Sequence, residues 1–466
     1  MPKSLTLFND PIHGVMVFEE ADENEEKELR EILRGLCDHE YFQRLRRIKQ
    51  LGCSDLVFPG AVHTRFNHSL GVCYLAAKIA NKIGLEFDEK KKVMIAALLH
   101  DVGHGPFSHA FERLFEKNKI THDDQWITAF LNNYAQPPLV NKKFRNEIEA
   151  LISSSSDITT PENLILLRDV ISSNLDADRL DYLLRDSHFC GVPYGKIDLE
   201  WILSCIVKIK DNTKTERLAI SRKGIGALED FLCARRLMTR NIYYHGKVKA
   251  AEYYIYLFLY FLTKQINDPK SSIMRNIPTF NESNLGRFLT KAYPFIIEEK
   301  VHSKKQINTF VSKTFKYYSQ LTDDDIWVAI RKISHITSKG DCEEIAKALA
   351  TRKLPECYAL NPARIGYARK IVDDVIKKFK MKKWKAHIEK LDMVSYKHEK
   401  SPILISEING GYSDIFHESN LLNFLSDKKE YSYFIFIADG VDKKAKKEIV
   451  DALNKAYCFT APQEIK

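Results

Sequence analysis

The tract His100-Asp101-Val102-Gly103-His104-Gly105-Pro106-Phe107-Ser108-His109 is where this sequence concentrates reactive side chains. An imidazole next to a carboxylate offers one neutral nitrogen and one anionic oxygen, a pair suited to a divalent cation. His104 and His109 follow in the same short stretch, near enough to act on something bound to that cation. Upstream lies His68 and downstream Asp178, so that His68, His100, Asp101 and Asp178 assemble into a mixed nitrogen and oxygen ligand set. With open positions left for water and phosphate, such a set suits Mn²⁺, Mg²⁺ or Fe²⁺ and also admits Zn²⁺. A lone His-Asp pair is common at helix ends. Four such ligands in order, each at a helix end or on a polar helix face, favour a site over capping residues.

These residues need elements to hold them. The apolar run Val93 to Leu99 reads as the buried face of a helix that stops where the polar groups begin. Gly103 and Gly105 permit sharp turns, Pro106 is suited to open the next helix, and Ser108 to Phe115 reads as helical. Thr64 to Gly71 opens an apolar helix running towards Ile83. Asp176 to Asp186 reads as a charged helix whose 3.6-residue period places Asp178, Tyr182 and Arg185 on one face.

Around that centre, residues 4–18 read as an extended start with turns at Asn9-Asp10-Pro11 and His13-Gly14, followed by an acidic loop and helix start from Glu19 to Glu31. Leu29 to Leu51 has a helical pattern broken near Asp38, an N-cap for the segment from Tyr41. Leu56 to Gly60 reads as extended. Thr121 to Asp124 caps a helix from Gln125, and residues 142–152 and 161–173 form two more. Cys205 to Lys210 and Arg217 to Ser221 form a β-hairpin across Asp211-Asn212-Thr213. Ala227 to Tyr244 and Ala250 to Gln265 are long helices whose aromatic stripe reads as core packing.

Residues 281–390 read as a set of helices, with Asp323-Asp324-Asp325 capping one and Pro362 starting another. Lys377 to Lys390 carries seven lysines against a single acid, a solvated helix face ahead of a nucleic-acid patch. Ile403 to Ile408 and Tyr433 to Ala438 are apolar strands, and Asp442 to Tyr457 is an amphipathic helix. The fold class is mainly α, with a small β-hairpin and a small α/β C-terminal region. Its expected units are residues 1–270, a helical region at 271–400, and 401–466.

Composition excludes several classes. Across 466 residues, 44% hydrophobic and 29% charged content belong to a folded globular protein, not a disordered one. No apolar run is long enough to span a bilayer, and no membrane partner is expected. Nine cysteines stand singly without a CxxC pair, which points to a reducing, cytoplasmic location. The excess of 71 basic over 62 acidic residues, +9, permits an anionic ligand such as a nucleotide without demanding nucleic acid.

The series Arg65-x-x-His68, His100-Asp101 and Asp178 resembles the HD superfamily of metal-dependent phosphohydrolases. Five blocks resemble one branch of it, the deoxynucleoside triphosphate triphosphohydrolases. They are Asn9 to Gly14, Phe42 to Gly52, Phe58 to Gly71, His100 to His109 and Asp176 to Asp186. The resemblance covers roughly residues 5–265 and includes no SAM domain of the kind some family members carry. It implies a helical HD core in which His68, His100, Asp101 and Asp178 hold the metal. It implies His104, Glu112 and His122 as catalytic or orienting groups, with Asp123 beside them where the family often has Glu. Arg65, Arg179 and Arg235 would contact phosphates, with His109 at the substrate. Gln50, Leu51, Tyr182 and Asp186 would surround the sugar, and Tyr243 the base.

The implied reaction releases a deoxynucleoside and inorganic triphosphate. The implied partners are a deoxynucleoside triphosphate, a second copy or copies of the chain as dimer or tetramer, and a nucleotide effector. For the effector, Asp38, Gln43 and Arg46 match, although they read equally as ion-pair and packing residues, and the lysine expected near Thr6 is missing. Two other readings stand beside this one: an HD phosphohydrolase for another nucleotide, and a nucleotide-sensing or nucleic-acid-binding protein.

Overall fold

Two helices are apolar on nearly every side, and the architecture is built around them. Arg65–Lys82 buries Phe66, Leu70, Val72, Leu75, Ile79 and a series of small residues, and Gly246–Ile266 buries Val248, Ile255, Phe258 and Leu262. A helix hydrophobic all round belongs in the middle of a core. The structure is a computed structural model that describes residues 7–18, 23–153, 158–298, 300–393, 402–407, 410–425 and 430–460. Mainly helical as expected, it packs Phe87–Leu99 and Ala177–Cys190 against Arg65–Lys82. Gly71 makes the second of these contacts close: a Cβ there would meet the Asp181 carboxylate at 2.0 Å. Among the described residues, no helix is long and apolar enough to cross a membrane.

The local signals explain where these helices begin and end. Phe87–Leu99 starts with a reciprocal Glu86/Glu89 capping box and stops at His100. Ala177–Cys190 is capped by Asp176, whose carboxylate accepts from the Arg179 backbone N–H, and ends at Gly191 with φ 69°. Helices Lys142–Ile152 and Ile165–Ile171 also fall where the pattern places them.

Three small sheets complete the fold. Strands β1 (Leu7–Asp10) and β2 (Gly14–Val17) form a hairpin. Strands β3 (Ile206–Lys210) and β4 (Glu216–Ser221) form the expected hairpin. Strands β5 (Glu356–Leu360) and β6 (Ala386–Met393) lie further on. Strands β7 (Leu404–Ser406) and β8 (Tyr412–Asp414) extend the β3–β4 hairpin to the order β3-β4-β7-β8. Strand β9 (Glu430–Ile437) lies between β5 and β6, antiparallel to both. Residues past 401 therefore share sheets with earlier parts of the chain. A second, smaller core forms where β5, β6 and β9 meet helices Ile365–Lys378 and Lys443–Lys455.

Several local expectations are corrected. Leu29 to Leu51 is not one broken helix: Glu23–Asp38 ends, His39 and not Asp38 caps the short Glu40–Gln43 turn, and a 3₁₀ turn follows at Arg44–Arg47. Leu56 to Gly60 follows a 3₁₀ turn at Ser54–Leu56 and is not extended. Pro106 sits in a turn, and the next helix starts only at His109 and runs to Glu112, continuing as a 3₁₀ turn. The helix expected from Gln125 is a π-helical turn at His122–Trp126 leading into Ile127–Asn133. The lysine run is a helix end, a turn and strand β6, not a helix face. Four of its lysines pair with acids: Lys378 with Glu448, Lys382 with Asp341, Lys385 with Glu344 and Lys390 with Asp392. Thr6, residues 19–22 and Ile408 lie outside the described residues.

Candidate active site

The ligand set converges. Ligand atoms of His68, on the Arg65–Lys82 helix, and of His100 and Asp101, at the end of Phe87–Leu99, lie within 4.8 Å of one another. Asp178, in the first turn of Ala177–Cys190, stands beside them, its Oδ1 3.0 Å from His68 Nε2 and 3.8 Å from His100 Nε2. Each imidazole is oriented from behind. His68 Nδ1 donates to Asp181 Oδ2 at 2.8 Å, and His100 Nδ1 donates to the Ala97 carbonyl at 2.8 Å. Both rings thereby turn Nε2 towards the shared space, the arrangement by which an outer partner fixes a metal-binding histidine. His100 Nε2 is buried without a hydrogen-bond partner, so the donor set fits a divalent cation.

Behind His68 lies a braced charge network that sequence reasoning missed. Asp181 also accepts from His13 Nε2 at 2.6 Å and from Arg185 Nε at 2.8 Å, and Arg185 reaches Asp10 at 2.8 Å. Arg185 is therefore turned into the core, fully buried, and does not share the cavity face of Asp178 and Tyr182. Arg185 and Asp181 are one helical turn apart, the only local signal that pointed to the pair.

A cavity of about 790 Å³ opens over this cluster. Of the expected residues, Gln50, Leu51, Arg65, His104, His109, His122, Asp123, Arg179, Tyr182, Asp186 and Tyr243 line it with His68, His100, Asp101 and Asp178. Glu112 and Arg235 stand behind that lining: Glu112 bonds His122 Nδ1 at 2.5 Å and Arg235 bonds Asn174 at 3.2 Å. Tyr244, Lys249, Glu252, Leu391 and Asp392 also line it, though no motif singled them out, and so does Lys390, the last residue of the lysine run.

The groups next to the metal ligands have distinct charge states. Gly103 brings His122 in, since a Cβ at that position would come 2.2 Å from the His122 carbonyl oxygen. The His104 and His122 rings stack at 3.4 Å. Burial, then the charges of Arg65 and His122, push His104 well below its ordinary value, so this ring is neutral. Burial works against a charged His122 as well, but the Glu112 hydrogen bond and charge outweigh it and hold His122 above its usual value. Burial also opposes ionisation of Glu112, yet hydrogen bonds from His109 and His122 keep it well below the usual carboxylate range. The arrangement is an imidazole whose burial disfavours its charge, stacked on one whose charged form a carboxylate favours.

The rest of the wall is also partnered. Arg65 donates to Asp101 Oδ2 at 2.5 Å and to Ser108 Oγ at 2.9 and 3.0 Å, so its guanidinium holds the metal-binding carboxylate. Burial alone would raise Asp101, but Arg65, with His100 and His104, holds it well below the ordinary range. Asp186 accepts from His63 at 2.7 Å and from the Tyr243 hydroxyl at 2.8 Å. Gln50 Oε1 is buried with no partner among the described residues. Away from the cavity, Gln43 accepts from Arg46 Nε at 2.9 Å while Asp38 turns outward to Arg34 at 3.7 Å, so the three do not close one network.

Residues 65–183, which carry the whole ligand set, match the HD domain family. An uncharacterised protein of Mycoplasma genitalium is 40% identical over 273 residues, covering 56% of this chain and 60% of that one. The human deoxynucleoside triphosphate triphosphohydrolase SAMHD1 is 32% identical over 276 residues, covering 52% of this chain and 42% of its own. The chain thus spans about half the length of these curated relatives. A solved phosphohydrolase from Bacteroides thetaiotaomicron shares the fold with a TM-score of 0.69 and 25% identity, over 94% of this chain and 100% of that one. The segment that matches the HD family supplies the candidate ligand set and the histidine pair, while Tyr243 to Glu252 and β6 close the cavity from outside it.

Proposed function

We propose that the HD domain hydrolyses deoxynucleoside triphosphates to a deoxynucleoside and inorganic triphosphate, with a divalent ion held by His68, His100, Asp101 and Asp178. The observation that carries this reading is the His104 ring stacked at 3.4 Å on His122, with Glu112 bonded behind His122, beside that ligand set. When bound, the ion polarises a phosphoryl oxygen and lowers the pKa of a coordinated water. Residues of the chain do the rest. His122, whose charged form Glu112 favours, is the group that would give a proton to the departing 5′-oxygen of the deoxynucleoside. Arg179, tied to Asp176 by one amino group, lines the cavity and has a buried Nε with no hydrogen-bond partner among the described residues, a donor suited to a phosphate oxygen. The unpartnered Gln50 Oε1 and the Asp186–Tyr243 pair suit a sugar hydroxyl. The name of the human relative states the same chemistry for that protein.

Product analysis tests the reading. Incubation with a mixture of deoxynucleoside triphosphates and Mn²⁺ or Mg²⁺ is expected to yield deoxynucleosides and triphosphate in one step. Monophosphate with pyrophosphate would instead make the protein an HD phosphohydrolase of another nucleotide bond. The same resemblance extends the proposal to a dimer or tetramer and to a nucleotide effector at Asp38, Gln43 and Arg46. Light scattering and activity with and without GTP or dGTP test those two points, and a flat response would remove the effector.

A further inference from the structure

The three aspartates that open helix Asp323–Ser334 have different tasks. Thr322 is the N-cap and Asp325 completes a capping box, its Oδ2 accepting from the Thr322 backbone N–H at 2.8 Å. The helix start is therefore satisfied without Asp323. Asp323 is instead only 3% exposed and turns away from its own helix towards the floor of the cavity. Its Oδ2 accepts from the backbone N–H of Lys49 at 2.9 Å, and its Oδ1 from the backbone N–H of Phe107 at 2.8 Å.

Those two amides belong to two separate chain segments that run beside the site. Lys49 precedes Gln50 and bridges to Thr64, directly ahead of Arg65. Phe107 precedes Ser108, and both carry positive φ, 53° and 48°. For side-chain-bearing residues that conformation is disfavoured, of order 1–3 kcal/mol each, and persists only where the surroundings over-determine it. One consequence is visible: Ser108 Oγ meets Arg65 Nε and Nη2, and Arg65 Nη1 meets Asp101 Oδ2. A path of hydrogen bonds thus runs from a helix 216 residues away in sequence to a metal-binding carboxylate.

We infer that Asp323 is a positioning residue for the metal-binding wall: its carboxylate holds Phe107 and Ser108 in the left-handed conformation that lets Ser108, through Arg65, fix Asp101. The inference rests on the metal-binding reading of that wall. Asparagine has one acceptor oxygen, so Asp323→Asn would aim an NH₂ group at one of the two backbone donors.

The test uses the full chain, Mn²⁺ titration followed by electron paramagnetic resonance, and amide hydrogen exchange of the Gly105–Ser108 segment without metal. Asp323→Asn and Ser108→Ala are expected to weaken Mn²⁺ binding by roughly 10–100-fold, the range for outer-shell partners. Asp323→Asn should also speed exchange at Phe107. Asp325→Asn, which breaks the capping box of the same helix, should lower the melting temperature while leaving Mn²⁺ affinity within about twofold. Native Mn²⁺ affinity and native exchange in Asp323→Asn would overturn the inference. So would an equal loss of affinity in Asp325→Asn, which would reduce the effect to a loosened helix. If the native protein binds no Mn²⁺, the metal reading fails by itself, and the exchange at Phe107 alone decides whether Asp323 holds the loop.

Discussion

Along the inner wall of the cavity, His68, Asp101, His104 and Asp186 are each 5% exposed or less, and most of their polar atoms have fixed partners. Along the outer wall, Lys249 pairs with Glu252 at 2.7 Å, and Lys390 with Asp392 at 3.0 Å, the last two with side chains 41% and 63% exposed. The inner wall therefore has its groups aimed before any ligand arrives, which is what stabilising a transition state requires. At Lys390 and Asp392 the outer wall relies on a solvent-screened ion pair of small net worth. Under the proposed function, the difference would assign reaction to the inner wall and selection among bases to the outer one.

The largest effect should come from breaking the inner wall. Asp101→Ala removes an anionic ligand and the partner of Arg65, so hydrolysis is expected to fall beyond the roughly 10–100-fold that loss of an outer-shell partner costs. Metal content by mass spectrometry should fall with it while the circular dichroism spectrum stays native. Full activity in this variant would leave the metal without a role.

Tyr182 sits where the two walls meet, one helical turn after Asp178, with its ring 6.2 Å from that of Tyr243. Packed against C2′ of a deoxyribose, it offers a ribose hydroxyl no partner. Rejecting an added hydroxyl by packing is typically worth about a hundredfold. The native protein should thus favour dGTP over GTP by about that factor, and Tyr182→Ala should lose most of the ratio. A variant that keeps the native ratio would take Tyr182 out of the sugar site.

Glu112 tests the charge states directly. A general acid works below its pKa, and activity falls as pH rises through it. Because Glu112 holds His122 above its ordinary value, Glu112→Gln should move the alkaline limb of the pH–rate profile to lower pH. At neutral pH the rate should drop about tenfold, on the low side of what general acid catalysis supplies. An unmoved alkaline limb would assign it to another group.

The smallest effect belongs to the outer wall. Lys390→Ala removes an exposed, solvent-screened ion pair, so KM should change by at most about fivefold, unequally among the four deoxynucleoside triphosphates, with kcat unchanged. A large fall in kcat would mean that β6 belongs with the reacting groups, and the division between the walls would dissolve.

The mainly helical fold and the ligand set were legible in the chain because their signals are local. His100 and Asp101 are adjacent, His104 is one turn on, and all three follow an apolar helix that must end at two glycines and a proline. The helices of residues 65–82, 87–99 and 177–190 are written in their own periodicity and caps. The short elements were less legible. The π-helical turn at His122 and the 3₁₀ turn at Ser54–Leu56 differ from their expected forms because packing outweighs weak local propensity there.

What the sequence by itself determined is which groups can bind a cation and move a proton, since residue type and spacing within one helix turn decide that. Only the tertiary structure decided what holds them in place. Asp181 braces His68 from 113 residues away, Asp323 clamps Phe107 from 216, and β9 inserts between β5 and β6. The same holds for the outer wall, where Lys390 to Asp392 reach the cavity from a strand far along the chain. Each of these contacts joins segments that share no period and no turn. Their pairing is set by which buried donors and acceptors the packed helices leave facing one another, and a buried polar group must find such a partner.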